Sequence, residues 1–152
     1  MSEATTALGV IDIQKIMASI PHRYPFLLVD RVIEIDGDTS GVGIKNVTVN
    51  EPQFTGHFPE RPVFPGVLMI EAMAQTAGVL VVNARGPDEK AVQTVLFTTI
   101  DKAKFRKPVT PGDQIRFHLT KLARKRNIFF YRGEARVDGV LVAEAEISAM
   151  VV

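Results

Sequence analysis

The feature that most constrains this chain is an almost wholly apolar stretch, residues 66–82, that contains a single acid, Glu71. Its length approaches the ~20 residues that a membrane-spanning helix requires. The acid, Gln75 and the flanking Pro62 and Pro65 weigh against such a span. Because the rest of the chain has the pattern of amphipathic strands, the stretch predicts a helix buried inside a globular protein.

A carboxylate inside an apolar helix needs a physical reason. Burial disfavours the charged form unless a partner donates hydrogen bonds to it, so Glu71 is either paired or poised as an acid. His57, in the preceding loop GHFP at residues 56–59, is the predicted partner. One glycine and three prolines between residues 55 and 65 make this loop stiff and fix the direction of the imidazole.

Composition sets broad limits. A chain of 152 residues predicts one domain, over residues 1–152. The absence of cysteine excludes disulfides, thiolate metal sites and a cysteine nucleophile. The first nine residues lack the basic and apolar regions of a secretory signal, so we expect a cytoplasmic protein.

The remaining periodicity predicts one short helix and a series of antiparallel strands. The short helix begins at Asp12, which can cap it, and the long helix runs from Gly66 to residues 83–86, before Pro87. The predicted strands are residues 26–35, 41–49, 92–100, 103–107, 114–123, 127–137 and 140–151.

The last predicted strand alternates between two faces. Its apolar face contains small side chains that leave room for a bulky element. The long helix is the element that fits this space, which predicts an α+β fold with one long antiparallel sheet wrapped around one buried central helix. The residues of that face are Leu141, Ala143, Ala145, Ile147, Ala149 and Val151.

Helical spacing brings chemical groups together at the start of the long helix. Val67, Glu71 and Gln75 are spaced i, i+4, i+8 and share one face, so Gln75 can hold the carboxylate. The first-turn N–H groups near Gly66 have no intrahelical partner and suit a developing oxyanion. With His57 as base, these groups could abstract a proton next to a carbonyl and expel a leaving group.

The residues alone leave other interpretations open. The loop histidine could be an ordinary surface residue, and the helix glutamate could meet an arginine from a strand. A metal site is disfavoured because His22, His57, His118 and Glu71 lack the i, i+4 ligand pairing of zinc helices. The chain has neither a cysteine nor a Gly-x-Ser-x-Gly turn, so nucleophilic catalysis is disfavoured.

Charge is unevenly distributed along the chain. The net charge is +1, but residues 102–136 carry a balance of +9 and the remainder −8. This segregation suggests an acidic partner, which could be nucleic acid, an anionic membrane or a small acidic protein. A solvated basic face on edge strands is the alternative.

Three segments carry a family resemblance: PHRYPFLLVDR at residues 21–31, GHFP at 56–59 and PGVLMIEAMAQ at 65–75. Together they closely resemble the bacterial (3R)-3-hydroxyacyl-acyl-carrier-protein dehydratases of fatty acid synthesis, and the resemblance covers nearly the whole chain. The chain departs from the family pattern at Gln53, where an aromatic residue is usual, and at Phe64, where methionine is common.

The resemblance implies a hot-dog fold and a homodimer, possible also as a hexamer of three dimers, whose active sites join His57 of one subunit to Glu71 of the other. It implies that His57 removes the α-proton of a 3-hydroxyacyl thioester and that Glu71 assists departure of the hydroxyl as water. The Gly66 N–H would bind the thioester oxygen, and Gln75 would support the acid. The product would be the trans-2-enoyl thioester, and glutamate rather than aspartate at position 71 implies dehydration without isomerisation.

The resemblance also implies acyl carrier protein as partner, with no cofactor, metal, nucleic acid or membrane. The alternating Lys102, Lys104 and Arg106 are the candidates for carrier docking. The candidates for lining an acyl tunnel are Phe58, Phe64, Ile70 and Phe97.

Two other functions compete with dehydration. A hot-dog thioesterase would use a comparable carboxylate to direct water at the thioester carbonyl, and it would release a free thiol. A binding module would recognise acyl carrier protein or nucleic acid through the basic segment. A pure binder has no need for a buried acid, so the presence of both His57 and Glu71 argues against it.

Overall fold

The computed structural model describes residues 8–85 and 94–152. Within these residues, seven antiparallel strands form one sheet in the order β1-β2-β3-β5-β6-β7-β4. The long helix α2 packs against β2 to β7, so the predicted α+β sheet around one central helix is confirmed. The elements are β1 (Gly9–Ile11), α1 (Ile13–Ser19), β2 (Arg31–Asp36), β3 (Ser40–Asn46), a 3₁₀ helix (Pro52–Thr55), α2 (Gly66–Asn83), β4 (Val95–Phe105), β5 (Gln114–Lys125), β6 (Ile128–Val137) and β7 (Val140–Val151).

Helix α1 begins as its sequence predicts. The Asp12 carboxylate accepts a hydrogen bond from the Lys15 N–H at 3.0 Å, which satisfies one of the donors left free in the first turn. At its other end, the Ser19 hydroxyl accepts from the Asn83 amide at 2.8 Å. This contact fastens α1 to the C-terminal end of α2.

The prediction that residues 26–35 form a strand is wrong in its first half. Strand β2 begins only at Arg31, and residues 24–30 form a turn and an irregular segment. The reason is that the Gln75 side chain hydrogen-bonds backbone groups that a strand would use for pairing. Its oxygen accepts from the Leu28 N–H at 2.9 Å, and its nitrogen donates to the Phe26 carbonyl at 2.5 Å. These contacts lie 47 and 49 residues apart in sequence, so local pattern could not reveal them.

The edge strands also differ from prediction. Strand β1, which pairs with β2, is only three residues long and was not predicted. The two strands predicted at residues 92–100 and 103–107 form one strand, β4, with a bulge near Lys102, whose φ is 52°. Residues 92 and 93 of the first predicted strand lie outside the described residues, as does Gly86 at the predicted end of the long helix.

Strand β7 lies against α2 through the apolar face predicted for it. Ala143, Ala145 and Ile147 are buried, whereas Leu141 is only half-buried. A bulge between β6 and β7 interrupts the alternation and turns Val142 into the core as well. Helix α2 is long and apolar enough to cross a membrane, but 67% of it is buried inside the protein.

Helix α2 approaches the sheet closely at Gly43 in β3. A Cβ atom added there would lie 2.9 Å from the Thr76 Cγ2 and 3.0 Å from the Thr76 Cβ. Thr76 cannot easily move, because it is β-branched and its hydroxyl donates to the Ala72 carbonyl at 2.8 Å. Glycine at this position therefore sets the distance between helix and sheet.

We expect Gly43→Ala to lower the free energy of unfolding by about 1–3 kcal/mol, because the added methyl group overpacks a rigid contact. Urea denaturation provides the measurement. Gly9→Ala is the matched control, since a Cβ there meets Ile35 at an ordinary 3.6 Å, and it should change stability by less than about 0.5 kcal/mol. Equal stability of both variants would contradict this account of the packing.

Candidate active site

The loop that carries His57 is anchored from the sheet. Glu51, just before the 3₁₀ helix, accepts from the Thr48 N–H at 2.8 Å and pairs with the Lys45 ammonium at 2.6 Å. Both charged side chains of this pair are 9% exposed. The Gln53 carbonyl then accepts from the His57 N–H at 2.9 Å, so the position of His57 is tied to β3. Sequence reasoning assigned no role to Lys45 or Glu51.

The imidazole of His57 is held in one orientation. Its Nδ1 lies 2.7 Å from the Val63 carbonyl oxygen, and the Val63 N–H donates to the His57 carbonyl at 3.0 Å. A carbonyl oxygen can only accept, so Nδ1 carries the proton and Nε2 keeps the lone pair. The Phe58 ring stacks on the imidazole with 4.2 Å between ring centroids. The Nε2 lone pair of His57 is therefore available to accept a proton.

A cavity of about 460 Å³ lies beside His57. It contains the start of α2 at Gly66, where the N–H groups of the first turn have no intrahelical acceptor. The Phe105 ring packs on Gly66 so closely that a Cβ there would lie 2.7 Å from it. The other lining residues include Phe64, Met69, Arg106, Lys107 and Val109.

Glu71 does not line this cavity. Its carboxylate, 24% exposed, instead lies among groups of its own chain: Gln75 donates to its Oε1 at 3.2 Å, and the His22 Nε2 is 3.5 Å from the same oxygen. The contact between Gln75 and Glu71 that the helical spacing predicts is present. Within one chain, however, the neighbour of the acid is His22 rather than His57.

Sequence reasoning considered His22 only as a metal ligand. Burial lowers the pKa of its imidazole; the Glu71 charge opposes this effect, and the Arg23 charge adds to it. The Nδ1 atom is buried and has no hydrogen-bond partner among residues 8–85 and 94–152. The signal that could have drawn attention to His22 is its place in the segment PHRYPFLLVDR.

Comparison with known proteins shows the family to which this chain is similar. The family model described as FabA-like domain matches residues 20–146. The 3-hydroxyacyl-[acyl-carrier-protein] dehydratase FabZ of Methylobacterium radiotolerans is 64% identical over 100% of this chain and 99% of its own length. The dehydratase of the same name from Sinorhizobium medicae is 59% identical over 100% of this chain and 97% of its own length.

The chain belongs to the 3-hydroxyacyl-[acyl-carrier-protein] dehydratase family. A solved structure, the dehydratase heterocomplex ApeI:P from Xenorhabdus doucetiae, superposes with a TM-score of 0.80 over 90% of each chain at 18% identity. This likeness confirms the predicted hot-dog fold of the dehydratase family.

The four tunnel candidates lie in different environments in this dehydratase-family chain. Phe64 is 1% exposed, lines the cavity and packs on Phe54 with 6.3 Å between centroids. Ile70 is buried in the core and does not line the cavity. Phe58 and Phe97 are 52% and 39% exposed in the single chain. Thus only Phe64 among the four lines the described cavity.

Two of the three docking candidates form ion pairs within the chain. Lys102 lies 3.7 Å from Glu146, and Arg106 hydrogen-bonds Glu144 at 3.0 Å, a bond that lowers the pKa of that carboxyl. Lys104 is exposed and stands opposite Glu144 in the strand register. The bulge near Lys102 also interrupts the predicted simple alternation along β4.

The described residues show no cluster of three or more His, Asp or Glu side chains that could hold a metal ion. The polar groups beside α2 fall into two places: His57 lies at the cavity, and His22, Glu71 and Gln75 lie together outside it. Such a set can move protons and donate hydrogen bonds.

We expect Gln75→Leu to lower the free energy of unfolding by at least about 1–3 kcal/mol, because it leaves the Leu28 N–H and the Phe26 carbonyl without their partner. Thermal and urea unfolding provide the measurement. The control is Gln114→Leu, whose exposed amide bonds only the Asn46 side chain, and which should cost less than about 0.5 kcal/mol. A neutral Gln75→Leu would contradict the bridging role of the amide.

Proposed function

We propose that this protein dehydrates (3R)-3-hydroxyacyl-acyl carrier protein to the trans-2-enoyl form, as a hydro-lyase of fatty acid synthesis. The 64% identity to a protein named for this reaction supports the substrate and the reaction class. The observation that carries the mechanism is the fixed tautomer of His57, whose Nδ1–H is committed to the Val63 carbonyl. The Nε2 lone pair is thereby available to a substrate in the cavity.

In the proposed reaction, His57 Nε2 takes a proton from the carbon next to the thioester carbonyl. The Gly66 N–H donates to the thioester oxygen as negative charge develops there. The electron pair left by the C–H bond forms the double bond, the C–O bond at carbon 3 breaks, and Glu71 gives a proton to the departing hydroxyl. The products are water and the conjugated enoyl thioester.

We propose that the acid comes from a second copy of the chain. Glu71 lies outside the cavity that contains His57, so one chain does not join the two groups. Among the described residues, strand β4 is an edge of the sheet and is hydrogen-bonded only to β7, so its outer backbone groups offer a template for another strand. Its large apolar side chains are exposed in the single chain, namely Leu96, Phe97, Ile100 and Phe105.

The position of Phe105 links this edge to the cavity. Phe105 belongs to β4 and also packs on Gly66, so a second chain paired along β4 would lie next to the His57 cavity. Association of this kind would form a two-fold homodimer with two composite sites. Assembly into a hexamer remains a prediction.

We expect His57→Ala and Glu71→Gln each to lower turnover by at least ~100-fold, because each removes a positioned proton-transfer group. The assay follows the ultraviolet absorbance of the enoyl product from a 3-hydroxyacyl thioester. His118→Ala and Glu34→Gln are the controls for loss of an imidazole or a carboxylate elsewhere, and they should keep wild-type turnover. Release of free thiol without enoyl absorbance would instead indicate a thioesterase.

Mixing the two inactive variants tests the composite site. After the subunits exchange, a mixed dimer contains one site with both groups intact, so an equal mixture should regain about one quarter of wild-type activity. No regain of activity, with exchange verified by mass spectrometry, would contradict a site shared between copies.

We propose that the acidic carrier protein binds the basic segment. Of the three docking candidates, Lys104 is the one that forms no ion pair with a carboxylate of the described residues, so we propose it as the docking residue. We expect Lys104→Glu to raise the KM for carrier-bound substrate by about tenfold and to leave the KM of a small thioester analogue unchanged. Lys15→Glu, on the exposed side of α1, is the charge-matched control. An equal effect on both substrates would argue against docking at Lys104.

A further inference from the structure

The mechanism proposed above assigns no role to one half-buried imidazole, that of His22. His22 lies between α1 and β2, its side chain is 16% exposed, and its Nε2 is 3.5 Å from the Glu71 Oε1. A movement of a few tenths of an ångström brings this pair to hydrogen-bond distance. The backbone around His22 is fixed, because the Arg23 guanidinium donates to the carbonyls of Met17, Ile20 and His22 at 2.6–3.0 Å.

The surroundings of His22 select its neutral form. A protonated ring would carry a second N–H at Nδ1, which is buried and has no acceptor among the described residues. Burial lowers the pKa of His22 more than the Glu71 charge raises it, which agrees with a neutral ring. A neutral ring has one N–H, which on Nε2 would point towards the Glu71 Oε1 at 3.5 Å. A neutral His22 can therefore act on Glu71 as a hydrogen-bond donor rather than as a counter-ion.

Both donors that approach Glu71 converge on the same oxygen. Gln75 reaches Oε1 at 3.2 Å and His22 approaches it at 3.5 Å, whereas no donor of the described residues is bonded to Oε2. The other bonds of the Gln75 side chain go to the Phe26 carbonyl and the Leu28 N–H, so this donor is itself immobile. With one donor bonded to Oε1 and a second 3.5 Å from it, Oε2 is the oxygen better placed to carry the proton of the acid form of Glu71.

We propose that His22 is a positioning residue for the acid: together with Gln75 it holds Glu71 Oε1, which leaves Oε2 to carry the proton to the departing hydroxyl. This inference rests on the proposed dehydratase function. In this proposal the Gln75 side chain has a second function. Its hydrogen bonds to Phe26 and Leu28 fix the backbone of residues 26–28 and thereby also hold the neighbouring His22 beside the carboxylate. The segment of residues 21–31 is then part of the site through its contacts with Glu71 and Gln75.

The test compares two substitutions that differ in the N–H donor. His22→Phe keeps a planar ring without a donor, and we expect kcat to fall about 10- to 100-fold with KM changed less than about twofold, because the acid loses its orientation. His22→Gln places an amide N–H near the position of Nε2 and should keep kcat within about threefold of wild type. Equal losses in both variants, or unchanged kcat in both, would overturn the proposal.

A double-mutant comparison separates positioning from direct catalysis. In the Glu71→Gln background, His22→Phe should change the residual kcat by less than about twofold, because there is no acid left to orient. A further loss as large as in the wild-type background would mean that His22 acts on the substrate by itself, which would overturn the positioning role.

A measurement on the wild-type protein tests the proposal even where a variant fails to fold. The ¹⁵N imidazole spectrum of His22 at pH 7 should show a protonated Nε2 and an unprotonated Nδ1. The opposite tautomer or a doubly protonated ring would overturn the proposal. This readout does not depend on activity, whereas absence of enoyl formation by the wild-type enzyme would refute the proposed function instead.

Discussion

The structure depends on the side chain of one buried amide. Gln75 sits in the middle of the apolar helix and joins three partners: the Leu28 N–H, the Phe26 carbonyl and the Glu71 carboxylate. A buried amide must use its hydrogen-bonding capacity or destabilise the fold. The same bonds therefore hold the irregular segment before β2 against the helix and hold the acid in place. Stability and chemistry share these contacts.

Around this helix, two imidazoles are used in opposite ways. His57 donates from Nδ1 to a backbone carbonyl and keeps the lone pair on Nε2 at the cavity, where we propose that it acts as the base. His22 has its Nε2 towards the Glu71 carboxylate and its buried Nδ1 without a partner. The Val63 carbonyl selects the tautomer of His57, and we propose that the Glu71 carboxylate does the same for His22. One residue type thus supplies a proton acceptor at one end of the site and, as we propose, a donor for the acid at the other.

Much of the fold could be predicted where local pattern and tertiary environment agree. Helix α2 begins at Gly66 as predicted, and Asp12 caps α1, because backbone sterics and capping act over a few residues. The prediction was wrong where distant partners override local preference: residues 26–30 look like a strand but are captured by Gln75 from α2. Likewise, the spacing revealed Gln75 next to Glu71, whereas His22, 49 positions before Glu71, required the folded chain.

The sequence by itself determined the apolar core helix, the acid and amide on one of its faces, the stiff histidine loop and the dehydratase family. These are properties of residue type and of spacing within a few helical turns, so they can be read without coordinates. Only the tertiary structure decided which group each imidazole meets, which nitrogen of His57 carries the proton, and that Glu71 lies outside the His57 cavity of its own chain. Such facts depend on atoms brought within about 3–4 Å by the packing of segments far apart in sequence, and no periodicity encodes that distance.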